Sequence, residues 1–359
     1  MRKVRVLIPG LLLALLSNQA IATPSTTAEQ QMKLFKIIGG AIAPKSVLAS
    51  NTGLVSAQNM MYRHTVTLYD ATTAKLIATI KDSVRLSDFG FTSYQGIYQG
   101  APVEGAFSPD GKYLYYTNYS MYGAGYNGNE DDKCSPASKY PTSFLSRVNL
   151  ATKRIDAMYA VGSVPKVVRV TPDNKYLLVA NWCSYNVTII SVESGKTVAT
   201  VKIGPYPRGM AISSDSKYAY VAEMGGLKLH RINLVTLKQS LLTVGLNPRA
   251  IVLSPDGKRI YITLSESGTL RSWNIESGKI EKTAKVGDTP RSLDISSDGS
   301  ALFVVNYVSN TMMKVRSADL KIMETVKVCE RPIGVTFDAS TQRTWVACYS
   351  GVIQVFDNL

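Results

Sequence analysis

The chain has 359 residues, 45% of them hydrophobic, with a formal net charge of +14. That is ample material for a large core, and length alone suggests two domains. His64 and His230 are the only histidines, and no nucleophile elbow, metal triad or phosphate loop appears, which removes the commonest enzyme signatures.

In chain order, Arg2, Lys3 and Arg5 precede a short apolar run ending at Leu16 and an Ala20-Ile21-Ala22 site. This is the pattern of a secretory signal peptide over residues 1–22, cleaved after Ala22. Pro9, Gly10 and the brevity of the run argue against a membrane-spanning helix, and no cysteine follows it to carry a lipid. The expected location is periplasmic or secreted, with no transmembrane segment left after cleavage. Without its three leader cations the chain keeps a strongly basic balance, which attracts polyanions such as nucleic acid, anionic headgroups or acidic wall polymers. The bland alternative is a solvated surface with no specific partner.

Residues 23–32 are polar, and residues 34–38 form a short strand candidate. A first unit runs from Lys45 to Lys81, its clearest strands at residues 65–70 and 76–80. Residues 82–101, with Phe89, Phe91, Tyr94 and Tyr98, are an insertion. A second unit has a Ser108-Pro109-Asp110-Gly111 turn and a strand at 113–118, followed by a further insertion at 120–142. The later units are close to minimal, and residues 247–287 show the pattern best. There, four short β-type runs alternate with tight turns, giving a four-stranded antiparallel meander.

Such a meander cannot bury both faces alone and must stack on copies of itself. The copies open at Pro44, Pro102, Pro165, Pro207, Pro248, Pro290 and Pro332, spaced by 58, 63, 42, 41, 42 and 42 residues. The expected fold is therefore all-β: a seven-bladed β-propeller with four-stranded antiparallel blades, forming one domain over residues 23–359. The seventh copy ends one strand short. Residues 34–38 are expected to complete it, so that the two termini close the ring and remove an exposed sheet edge.

The second run of each copy repeats as Tyr115-Tyr116-Thr117-Asn118, Leu178-Val179-Ala180-Asn181, Tyr220-Val221-Ala222-Glu223, Tyr261-Ile262-Thr263-Leu264, Phe303-Val304-Val305-Asn306 and Trp345-Val346-Ala347-Cys348. At these residues the chain resembles the YVTN-repeat, YncE-like propellers. The resemblance spans nearly everything after residue 40. It implies the fold and says little about function, because the repeat residues belong to core and turns.

Both insertions leave even-numbered steps of the meander, so both are expected on one decorated face. The Ser-Pro-Asp-Gly turns fall on the opposite face and read as backbone chemistry rather than metal sites. The residues after the opening prolines are Lys45, Val103, Lys166, Arg208, Arg249, Arg291 and Ile333, with Arg331 just before Pro332. The opening strand is innermost in a propeller, so these cations should ring the channel mouth and focus a field on an anion. The competing reading has each arginine satisfying carbonyls or a carboxylate of a neighbouring blade. Lys45 and Lys166 suit that planar structural role less well and tilt toward a ligand. Tyr119, Trp182, Tyr307 and Tyr349 join Tyr94, Tyr98, Tyr122, Tyr126 and Tyr140 on the same face, to stack on a ligand or to pack the loops.

The even cysteine count favours disulfides in an oxidising compartment, with Cys134 paired to Cys183 and Cys329 to Cys348. A soft-metal site joining cysteine with Met60, Met61 or His64 has no supporting ligand spacing. The acidic run of Asn127, Asn129, Glu130, Asp131 and Asp132 lacks calcium-loop spacing and reads as solvated, with calcium left open. No cofactor is expected. The functional expectation is a monomeric, exported, non-catalytic propeller binding an anionic or extended ligand: nucleic acid, an envelope polymer or an envelope protein. The alternatives are a lactonase-like hydrolase or lyase in the funnel, with Glu104 and Glu223 as its acids, and an envelope interaction scaffold.

Overall fold

The computed structural model describes residue 1, residues 31–126 and residues 128–358. The expected leader at 1–22 and Asn127 lie outside the described residues. Within residues 31–359, which form one compact unit, seven antiparallel sheets follow one another. Their inner strands are Ser46–Ala49, Tyr98–Phe107, Pro165–Val170, Pro207–Ile212, Pro248–Leu253, Pro290–Ile295 and Pro332–Asp338. Each inner strand touches the next, and the seventh touches the first, so the ring is closed. Among the described residues no helix is long and apolar enough to cross a membrane.

The alternation of the strands explains why the blades stack. In Tyr218–Glu223, the side chains of Ala219 and Val221 pack toward the preceding blade with Val167, Leu178 and Val187. Tyr220 and Ala222 pack toward the following blade with Ile251, Ile260 and Ile262. A strand apolar on both faces is stable only when sheets cover both sides. The turns on one end are built alike: Ser254 Oγ donates to Asp256 Oδ1 at 2.5 Å, and that oxygen accepts from the Lys258 N–H at 3.0 Å. Asp110, Asp173, Asp215 and Asp298 repeat the arrangement, so these carboxylates are spent on turn geometry.

Closure comes from Lys33–Ile38, which runs antiparallel to Val352–Asp357 with Lys33 opposite Asp357 and Ile38 opposite Ile353. This outer strand is mostly exposed, so its hold rests on the ladder and a few anchors. Met32 is buried in the neighbouring core and its N–H donates to Glu324 at 2.8 Å. The Arg343 guanidinium lies 3.5 Å from the centre of the Phe35 ring.

The second blade differs from the expectation at its ends. Tyr98–Phe107 and Tyr113–Tyr122 are each ten residues long, and their extra turns pair Gln99 with Tyr122 and Gly100 with Met121. The insertions are thus partly zipped into strand, and a two-residue strand, Ser83–Val84, adds a fifth member to the sheet. Both insertions meet on one face: Phe91, Tyr94, Tyr98, Tyr126 and Phe144 form a cluster with ring centroids 4.9 to 6.4 Å apart. Tyr94, Tyr98 and Tyr126 therefore pack the loops and are not displayed for stacking on a ligand.

A chain beginning at residue 39 loses the closing ladder and uncovers the edge of Val352–Asp357. Calorimetry should show a lower and broader unfolding transition, a loss of several kcal/mol; an unchanged, single sharp transition would exclude closure by this strand.

Candidate functional site

Two repeating features build the mouth of the channel on the decorated face. Val164, Tyr206, Asn247, Thr289 and Arg331, each immediately before an opening proline, adopt φ between 51° and 57°. This left-handed kink turns the carbonyl of each toward the next corner of its blade. The five carbonyls accept the N–H groups of Trp182, Met224, Ser265, Tyr307 and Tyr349, at 3.0 to 3.2 Å. The residue after the proline is thereby aimed into the channel, and the residue after the second strand is held above it. The result is a tier of cations under a tier made of Trp182, Met224, Ser265, Tyr307 and Tyr349.

The cation tier comprises Lys45, Lys166, Arg208, Arg249 and Arg291, as the repeat spacing predicted. Lys45, Arg208 and Arg249 are only 8%, 8% and 7% exposed. Lys45 Nζ donates to the Tyr349 hydroxyl. Lys166 Nζ sits 4.2 Å from the centre of the Tyr119 ring and 5.3 Å from that of Trp182, in cation–π contact with both. The Arg291 guanidinium lies 4.2 Å from the Tyr307 ring centre. Arg249 donates through Nε to the Arg291 carbonyl at 3.3 Å and through Nη1 to Met224 Sδ, a weak acceptor, at 3.3 Å. Arg331 stands apart: the kinked backbone leaves its side chain exposed on the rim, 3.6 Å from Glu330.

Two carboxylates meet the five cations. Glu104 Oε1 is 2.5 Å from Arg208 Nη2, a pair that joins the second and fourth blades and not the neighbouring blades that the structural reading of the ring expected. Asp132 Oδ1 is 2.7 Å from Lys166 Nζ and accepts from the Tyr119 hydroxyl at 3.2 Å. The acidic run read as a solvated patch or a calcium loop thus lays Asp132 on the ring. Asp131 caps the Lys133 N–H at 2.7 Å. The Cys134–Cys183 disulfide pins this loop, while Trp182 Nε1 donates to the Asp132 carbonyl at 3.0 Å and Tyr185 to that of Cys134 at 2.8 Å. Cys329 and Cys348 form the second disulfide, so all four cysteines are bonded as their positions suggested and offer no thiol to a soft metal. Glu223 accepts from or pairs with His230 Nε2 at 3.0 Å, away from the arginines.

Excess positive charge shows in the protonation behaviour. Burial, with Lys166, Arg208 and Arg249 nearby, drives the Lys45 ammonium well below its ordinary range. Burial brings Lys166 down to about 8 even though Asp132 opposes the shift. Arg249 is lowered by burial and by Arg291 and Arg208. Burial pushes Asp132 up, yet Lys166 and Lys45 hold it below the usual carboxylate range. Burial is the leading cause throughout, and crowding by neighbouring cations adds to it at Lys45, Lys166 and Arg249.

Tyr206 was not singled out in the sequence, yet it stacks on Trp182 at 4.6 Å and meets Tyr185 edge-on at 5.6 Å. Its place in Pro205-Tyr206-Pro207-Arg208, against a cation of the ring, is the signal that could have found it. Met224 was missed too, and its register with Trp182, Tyr307 and Tyr349 is the corresponding clue.

Fold and site together define a seven-bladed propeller with a buried cation ring at one mouth. Residues 137–293, from the second insertion to the inner strand of the sixth blade, match the family model of YNCE-like beta-propellers, as the repeats had indicated. No curated protein matches the chain.

Because the folded Lys166 loses its proton near 8 and an unfolded lysine near 10.4, the unfolded chain binds more protons between those values. Stability contributed by this group therefore rises with pH across that window. The difference in melting temperature between the native protein and Lys166→Met should widen in favour of the native protein from about pH 8 to pH 10. A difference that stays constant would show Lys166 to be an ordinary ammonium, and one that narrows would show its proton held more tightly in the folded protein.

Proposed function

We propose that this is an exported propeller whose decorated face binds an anionic ligand at the cation ring. The observation that carries the reading is the imbalance of five buried or half-buried cations against two carboxylates, in a channel mouth walled by aromatic rings. Burying charge costs several kcal/mol per ion unless it is compensated. A fold that keeps Arg249 and Arg291 at equivalent positions without a carboxylate for either, among the described residues, is well suited to an anion from outside. Export is supported by the leader pattern, two disulfides and the basic balance, and the propeller acts alone in this reading. A hydrolase or lyase in the funnel has less support, since Glu104 and Glu223 are committed to Arg208 and His230 and do not converge.

The ring separates into structural and ligand-facing members. Arg208→Gln strands Glu104 in a buried place and should cost roughly 1–3 kcal/mol of stability. The double change Arg249→Gln with Arg291→Gln removes mutual repulsion and should leave the melting temperature unchanged or raised. It should also weaken binding of inorganic phosphate and of a single-stranded oligonucleotide, and flatten the salt dependence of what remains. A double variant that unfolds, or that binds both probes as the native protein does, would sink the ligand role. Export has its own check: protein recovered from the envelope fraction should begin at Thr23 and contain no free thiol.

A further inference from the structure

The depth of the ring restricts which anions can reach it. A polymer lying across the face presents its charges at the surface, whereas Lys45, Arg208 and Arg249 are more than nine-tenths buried. Only a group that projects from its parent molecule can descend past Trp182, Tyr307 and Tyr349. Arg169, Arg208, Arg249 and Arg291 border a chamber of about 60 Å³, with Glu104, Ser46 and Ser292 also on its wall. A single water needs at least about 10–15 Å³ of such space, so the chamber admits a small group and no bulky one.

The free donors point the same way. Arg208 is held by Glu104, so it contributes charge without a free fork. Arg249 bonds to a carbonyl and a thioether, and Arg291 Nε is buried without an acceptor among the described residues. Guanidinium forks of this kind match phosphate geometry, two donors to two oxygens. A phosphomonoester carries close to two negative charges at neutral pH and three acceptor oxygens, whereas a backbone diester carries one charge and is flanked by sugar on both sides. The excess of cations over carboxylates matches the former.

Resting on the anion-binding reading above, we propose that the ring receives one terminal phosphate, end-on, from a phosphomonoester and does not track the backbone of a polyanion. Arg249 and Arg291 grip the phosphate oxygens, Arg208 supplies field, and the aromatic tier meets the first part of the ligand behind the phosphate.

The test compares two single-stranded oligothymidylates of equal length, one with a 5′-phosphate and one with a 5′-hydroxyl, by calorimetry with the intact mature protein. The phosphorylated strand should bind at least about tenfold more tightly, the effect of one charge-assisted hydrogen bond. Millimolar inorganic phosphate should erase the difference, and Arg249→Gln should do the same while Arg249→Lys keeps part of it. Equal affinity for the two strands, with steep salt dependence lost in the Arg249/Arg291 double variant, would overturn end-on capture and leave anion binding standing. Failure of inorganic phosphate and both strands to bind would overturn the anion reading itself.

Discussion

The structure depends on the closing of a ring of sheets, each of which is apolar on both faces. Tyr218–Glu223 shows why: its alternate residues belong to two different hydrophobic clusters, so no blade is complete without both neighbours. A linear stack would leave two such faces bare. Seven copies bent around an axis remove them, and the pairing of Lys33–Ile38 with Val352–Asp357 fastens the last gap with residues from opposite ends of the chain. That strand buries little of itself, so the fastening works through the ladder and through Met32, not through a large apolar payload.

The same closure creates the site. Bringing seven inner strands together at an axis forces the residue after each opening proline into one small volume, whatever its charge. Where those residues are Lys45, Lys166, Arg208, Arg249 and Arg291, the fold concentrates cations that would be unremarkable on separate surfaces. Desolvation then lowers the lysines and Arg249, and aromatic rings hold Lys45, Lys166 and Arg291 by their faces. Local backbone strain contributes as well: five non-glycine residues in the left-handed region cost of order 1–3 kcal/mol each, and this is sustained because the kink directs both tiers at once.

The second insertion is the part of the molecule that breaks the repeat, and it modifies the ring asymmetrically. Asp132 neutralises Lys166 and leaves the cations of the fourth, fifth and sixth blades with only Glu104. The disulfide from Cys134 to Cys183 fixes that asymmetry by tying the loop to the corner that carries Trp182. The positive field is therefore displaced away from the third blade and toward Arg249 and Arg291.

The blade count, the strand closure, the shared face of both insertions and the disulfide pairs were legible in the sequence. They follow from spacing, and a repeat converts spacing directly into position around an axis. The ring cations were legible for the same reason. Which of them is structural was not: Glu104 meets Arg208 and Asp132 meets Lys166 across 104 and 34 residues of chain respectively, and no period relates those partners. Arg331 precedes the opening proline of the seventh blade, whose ring position is Ile333, and its side chain lies exposed beside Glu330. The role of Tyr94, Tyr98 and Tyr126 likewise waited on the fold, since aromatic residues in two irregular loops find each other only after the second blade is built. What the sequence alone determined was therefore everything governed by the repeat. What only the tertiary structure decided was the pairing of charges and rings between segments outside it, where distance in space is set by the closed ring and bears no relation to distance along the chain.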